Sequence, residues 1–138
     1  MLAAPDPEEN PMPRTVIGAP MELNGRPLPL SRAIAAGGLV FASGQLGVGP
    51  DRALAGPDAA SQTRQALENL KAVLAEAGCG LGDVVKVTTF LTDAAHAADY
   101  NRVYAEYFPE GPPARSTVIS GLLLPGAVVE IEAIAAKD

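Results

Sequence analysis

A chain of 138 residues suffices for one domain with a true core, since a domain of roughly 140 to 150 residues buries about two thirds of the surface its unfolded chain exposes. Sixteen acidic residues against 10 basic ones give a net charge of −6, and such a chain is repelled by polyphosphate, which excludes nucleic acid as a default partner. Cys79 stands alone, so no intrachain disulfide forms; nothing resembles a signal peptide or a membrane-spanning run, and a cytoplasmic protein with no membrane partner is expected.

Residues 1–13 are rich in Pro, Ala and acid. Pro5, Pro7, Pro11 and Pro13 block regular structure, so a disordered arm is expected, with Met12 as an alternative start. Residues 14–138 then form a single domain. Short apolar pieces at Thr15 to Ile17, Arg32 to Ala35 and Leu39 to Ser43 are separated by turn formers and predict a small antiparallel set. A helix is predicted from Ala59 to Ala77: Leu67, Leu70, Leu74 and Ala77 form one stripe, Gln62, Arg64, Glu68 and Lys71 lie off it, and Gly78 and Gly80 stop the run.

Val84 to Leu91 is rich in Val, Thr and Phe and predicts a strand. Thr92-Asp93 offers a cap for a second helix, in which Tyr100, Val103, Tyr104, Tyr107 and Phe108 follow helical spacing as core residues before Pro109 and Gly111 end it. Two closing strands, Ser116 to Ile119 and Ala127 to Ala135, flank Gly121 to Gly126. The order β-β-β-α-β-α-β-β predicts an α+β two-layer sandwich, a mixed sheet with two helices on one face. On the strand from Val84, strict alternation puts Val84 and Phe90 on one side and Val85, Val87 and Leu91 on the other. The second sheet face therefore needs a cover, which symmetric self-association would supply along with clefts between subunits.

Chemistry concentrates in two places. Pro112-Pro113 stiffens the approach to Arg115 at a strand entrance, where a fork-shaped guanidinium can hold a carboxylate through two parallel hydrogen bonds. Glu130 alternates with Val129 and Ile131, so its carboxylate stands on a rigid strand, able to take a proton from water and return it. Glu132 shares that face, but two unpaired carboxylates in one cleft repel, so a structural or exposed role is assigned to it. His96, the only histidine, lies by the second helix cap, and Ser43 has no catalytic partner in view, so a Ser-His-Asp mechanism is poorly supported. One His and one Cys without ligand spacing make no ordinary zinc site. Gly44 either admits a ligand close to the backbone or marks a bulge. Gly47 and Gly49 form no phosphate-binding signature.

Val40-Phe41-Ala42-Ser43-Gly44-Gln45, the helix segment Gln62 to Leu70, Val85 to Asp93, Asn101 with Tyr104 and Phe108, Pro113-Ala114-Arg115-Ser116, and Val129 to Ala135 occur in an order that resembles the Rid (reactive intermediate deaminase) family. This family is also called YjgF-type and was formerly grouped as endoribonuclease L-PSP. The resemblance implies a chorismate-mutase-like homotrimer with active sites between neighbouring subunits and no metal or organic cofactor. It implies that Arg115 binds the substrate carboxylate, that Glu130 positions or activates water, and that Ser43, Gly44, Asn101 and Thr117 line the pocket. Leu30 stands where deaminase members carry a pocket tyrosine, and Thr117 where they commonly carry cysteine. Leucine leaves an apolar wall suited to a longer or more hydrophobic substrate.

The expected function is cofactor-free hydrolysis of reactive 2-imino or 2-enamino acids to 2-oxo acids and ammonia. A binding or protein-protecting trimer without turnover is the first alternative. A pathway deaminase for a larger substrate such as 2-aminomuconate is the second. A ribonuclease is disfavoured by the acidic balance and the missing histidine pair.

Overall fold

The computed structural model describes residues 13–137, so the expected N-terminal arm lies, apart from Pro13, outside the described residues. Eight strands and two α-helices follow in chain order: β1 (Thr15–Ile17), β2 (Glu22–Leu23), β3 (Arg26–Pro27), β4 (Ala33–Ala36), β5 (Leu39–Leu46), α1 (Ala59–Glu76), β6 (Val84–Leu91), α2 (Ala97–Tyr107), β7 (Ala114–Ile119) and β8 (Val129–Ala136). Six strands make one mixed sheet in the order β1-β4-β5-β8-β6-β7, in which only β6 and β7 run parallel. Both helices pack on one face of it, giving the expected α+β sandwich. Among the described residues no helix is long and apolar enough to cross a membrane.

α1 starts where the Asp58 carboxylate accepts the Ser61 N–H at 2.9 Å, satisfying an otherwise orphaned donor. It ends in a Schellman motif: Cys79 N–H reaches the Leu74 carbonyl and Gly78 N–H the Ala75 carbonyl, with Gly78 at φ +78°. The cap expected near α2 forms as well, Asp93 accepting the Ala95 N–H at 2.8 Å at the head of a 3₁₀ turn that leads into the helix. The core lies between helices and sheet, where Leu67, Leu70 and Leu74 of α1 meet Val40, Val87, Leu91, Val129 and Ile131 of the central strands.

Three sequence expectations need correction. The β2–β3 hairpin was not foreseen; it turns at Asn24-Gly25, both with positive φ (53° and 76°), as a two-residue hairpin turn demands. Strict alternation fails at the start of β6, because the register against β8 shifts between Val84 and Lys86: Val84 is buried and Val85 exposed, and Val87, Thr89 and Leu91 face the helices. Gln62, placed off the apolar stripe, is fully buried, because its amide is completely hydrogen-bonded in the interior.

Candidate active site on two faces of one sheet

Glu130 sits between Val129 and Ile131, which are fully buried beneath the helices, so alternation turns Glu130 to the open face of the sheet. The neighbouring strand makes room for it. Across the β5–β8 pairing Ala42 faces Ala133 and Gln45 faces Ile131, so Ser43 and Gly44 form a bulge opposite Glu132. A Cβ on Gly44 would stand 2.9 Å from the Glu130 Cδ and 3.0 Å from its Oε1. Glycine there lets the carboxyl group lie against the bulged backbone. Ser43 is pinned in place: its hydroxyl donates to the Ser31 carbonyl at 2.5 Å, and its N–H donates to the Arg32 carbonyl at 2.9 Å. Leu30, immediately before Ser31, is 45% exposed.

A cavity of about 550 Å³ opens beside Glu130, walled by Leu46, Phe90 and the leucines 122–124 of the β7–β8 connection. Glu130 is the one ionisable side chain in that wall. Burial, and then the like charge of Glu132 two residues along, push its carboxyl pKa above the usual range. Amides of α1 brace the cavity from behind. Gln62 Nε2 donates to the Gly56 and Gly126 carbonyls at 2.9 and 3.0 Å, and its Oε1 accepts the Val128 N–H at 2.8 Å. Two turns further on, Asn69 Nδ2 donates to the Leu46 and Val48 carbonyls at 3.0 and 2.8 Å. One helix face thus anchors both the end of β5 and the base of the leucine loop.

Arg115 lies elsewhere. β7 is an edge strand exposed along all six residues, and its parallel register sets Arg115 beside Val87 and Thr117 beside Thr89, on the helix-facing side. The guanidinium carbon stands 5.1 Å from the centre of the Tyr100 ring and 4.7 Å from that of Tyr104. Among the described residues the ion pairs are Arg64–Glu106 and Arg102–Asp99, so Arg115 carries a charge that no carboxylate neutralises there. Asn101 is exposed on α2, next to Tyr100.

Ser43, Gly44 and Glu130 therefore meet at the bulge on the open face, with Leu30 adjoining through Ser31, whereas Arg115 and Thr117 lie on the helix side of the edge strand. The single chain does not bring Arg115 and Glu130 together. Sequence reasoning missed three contributors: the leucine loop, the Gln62 and Asn69 anchors, and the contact of Tyr100 and Tyr104 with Arg115. The signal for the last was present in the i, i+4 spacing of two tyrosines, which was read as core alone.

The described residues thus form a mixed-sheet α+β sandwich with an unneutralised arginine on its edge strand and a strand-borne carboxylate at a bulge. The profile of the family described as endoribonuclease L-PSP matches residues 25–137. A RutC family protein of Pyrococcus horikoshii is 47% identical over 111 residues, covering 80% of this chain and 88% of its own. Among solved structures, the Rid-family protein YyfA of Yersinia pestis superposes with a TM-score of 0.79 at 42% identity, over 90% of this chain and 99% of that one. RidA from an Antarctic Psychrobacter gives 0.78 at 36% identity, over 88% and 98%. The chain belongs to this endoribonuclease L-PSP family, whose members also carry the names Rid, YjgF and RutC.

Proposed function

We propose that this protein is a cofactor-free deaminase that hydrolyses 2-imino acids, and the enamines that tautomerise to them, to 2-oxo acids and ammonia. The single observation that carries the reading is an exposed arginine without a carboxylate partner among the described residues, in a chain that also holds a raised-pKa strand carboxylate, Glu130, at an apolar cavity. Arg115 grips the substrate carboxylate with two parallel hydrogen bonds. Thr117, two residues along the same strand face, offers a hydroxyl to the same group, and Asn101 an amide. Glu130 removes a proton from water as the water oxygen bonds to the C=N carbon, and returns that proton to the nitrogen. The same carboxylate then carries the hydroxyl proton of the tetrahedral carbinolamine to its amine, the C–N bond breaks, and ammonia leaves as the carbonyl of the 2-oxo acid forms.

Because Arg115 and Glu130 occupy opposite faces of one sheet, the complete site requires two copies of the chain. A homotrimer supplies the second copy, each site taking Arg115, Thr117 and Asn101 from one subunit and Glu130, Gly44, Ser43 and Leu30 from its neighbour. The exposed Phe41 and Val118 support such a cover, Phe41 being 42% exposed on the open face. Leu30 and the leucine loop favour imines with long apolar side chains over the smallest one.

Ammonia release from imines freshly generated by an amino-acid oxidase tests the reading. Glu130→Gln is expected to slow turnover by about 10² to 10⁴ at saturating substrate with ligand affinity retained, whereas Arg115→Lys is expected to weaken carboxylate binding by about 1.5 to 3 kcal/mol. Wild-type rates in both variants would remove the roles given to Glu130 and Arg115, and no ammonia release by the wild type would remove the deaminase reading.

A further inference from the structure

Arg115 is an edge-strand side chain exposed to solvent, and such side chains ordinarily sample many rotamers. Here its position is restricted. Tyr100 and Tyr104 are four residues apart on α2 and so present neighbouring rings on one face, with centroids 5.5 Å apart and planes at 52°. The guanidinium lies over both, at 5.1 and 4.7 Å, within the range where the negative face of an aromatic ring attracts a cation. The rings are themselves immobilised. Tyr104 packs on Phe108 at 4.6 Å, and the Tyr100 hydroxyl shares a 2.5 Å hydrogen bond with Thr89, which is fully buried on β6 and stands beside Thr117 in the β6–β7 register. Thr89, Tyr100, Tyr104 and Phe108 thus form a continuous buried support under an exposed charge.

We infer that Tyr100 and Tyr104 are positioning residues that hold the Arg115 guanidinium, through its contact with their ring faces, in the orientation that receives a substrate carboxylate. The inference rests on the reading of Arg115 as the carboxylate anchor. A plain core role for the two tyrosines would require only apolar volume; the cradle requires the π faces. Ring faces also leave the guanidinium's positive charge unneutralised, because they carry no formal charge. Burial keeps both phenols protonated, the Tyr104 hydroxyl being pushed up to about 12, so neither ring becomes an anion that would pair with Arg115 and compete with substrate.

The full-length protein offers a direct readout, because it has no tryptophan and only three tyrosines, two of which touch the anchor. Titration of 2-oxobutanoate into wild-type protein is expected to change the tyrosine emission saturably, with the same midpoint by calorimetry, and Arg115→Lys is expected to move that midpoint up by about 10- to 10²-fold. Tyr104→Leu is expected to raise the dissociation constant, and KM for the imine, about tenfold with kcat nearly unchanged. Tyr104→Phe, which restores the ring face without the hydroxyl, is expected to bind within about twofold of wild type. A folded Tyr104→Leu protein that binds the acid as wild type does, or a Tyr104→Phe protein as impaired as Tyr104→Leu, overturns the cradle. Should Tyr104→Leu fail to fold, unchanged wild-type emission on saturation with the acid, or a Tyr104→Phe affinity well below wild type, overturns it equally. Binding of the acid with these effects but without ammonia release sinks the deaminase reading and leaves the cradle standing. A wild-type protein that binds no carboxylate removes both.

Discussion

At the scale of single residues, the environment of Glu130 sets two measurable quantities. On the proposed mechanism turnover needs the ionised carboxylate, so the raised pKa makes the rate rise with pH through a value above the ordinary carboxylate range. The sign for stability is the reverse: Glu130's contribution is present below the ordinary carboxylate pKa and is lost as pH rises through the raised folded value. Glu132 is the like charge that adds to desolvation, so Glu132→Gln is expected to move the acid limb of the kcat profile to lower pH, with the plateau retained. An unmoved or upward-moving limb would show that Glu132 does not act on Glu130. Gly44 acts on the position of the same carboxylate. Its Cβ would meet the far end of a flexible glutamate side chain rather than backbone, so Gly44→Ala leaves the fold intact and displaces the carboxyl group. A displacement of that size is expected to lower kcat by on the order of 10 to 10²-fold with little change in thermal midpoint, as a rate assay paired with a melting curve would reveal.

Elements matter here through the amides that join them. Gln62 is a fully buried polar side chain whose three hydrogen bonds tie α1 to the segments at Gly56, Gly126 and Val128. Gln62→Leu leaves two carbonyls and one N–H unpaired in the interior, and is expected to cost about 2 to 4 kcal/mol by urea denaturation. Hydrogen exchange at Val128 should accelerate more than that at the β6–β8 ladder, because the leucine loop loses its anchor first. This clamp also shows where sequence reading reaches its limit. β1 and β6 were legible to the residue, since β-branched and aromatic runs between turn formers carry their own boundaries. Burial of Gln62 was not legible, because two of its three bonding partners lie 64 and 66 residues away and helical periodicity alone counts an amide as outward-facing. β2 and β3 hold two residues each, too few to show alternation, so only Asn24-Gly25 announced the hairpin.

For the molecule as a whole, the decisive fact is that Arg115 and Glu130 face opposite sides of one sheet. Both residues stood out in the sequence by type and strand context, and alternation with Val129 and Ile131 sets the side of Glu130, but the side Arg115 takes depends on how β7 pairs with β6, which local pattern does not encode. If the active site joins Arg115 of one copy to Glu130 of the next, two separately inactive chains can complement each other. Arg115→Ala destroys the anchor and Glu130→Gln the water-directing group, yet a mixed trimer contains junctions where an intact Arg115 meets an intact Glu130. With random assembly from equal amounts, each junction draws its two halves independently, so roughly one quarter of the sites are complete. Co-refolded mixtures are therefore expected to recover about a quarter of wild-type turnover per chain, while each variant refolded alone stays near background. Light scattering should return three times the 14.1 kDa chain mass for the wild type and for the mixture. A mixture that stays as inactive as its parents, at the same trimer mass, would place both residues' roles within one chain and remove the shared site. A monomer mass at low micromolar concentration would do the same by another route, since the open face carrying Phe41 and Glu130 would then have no second copy against it.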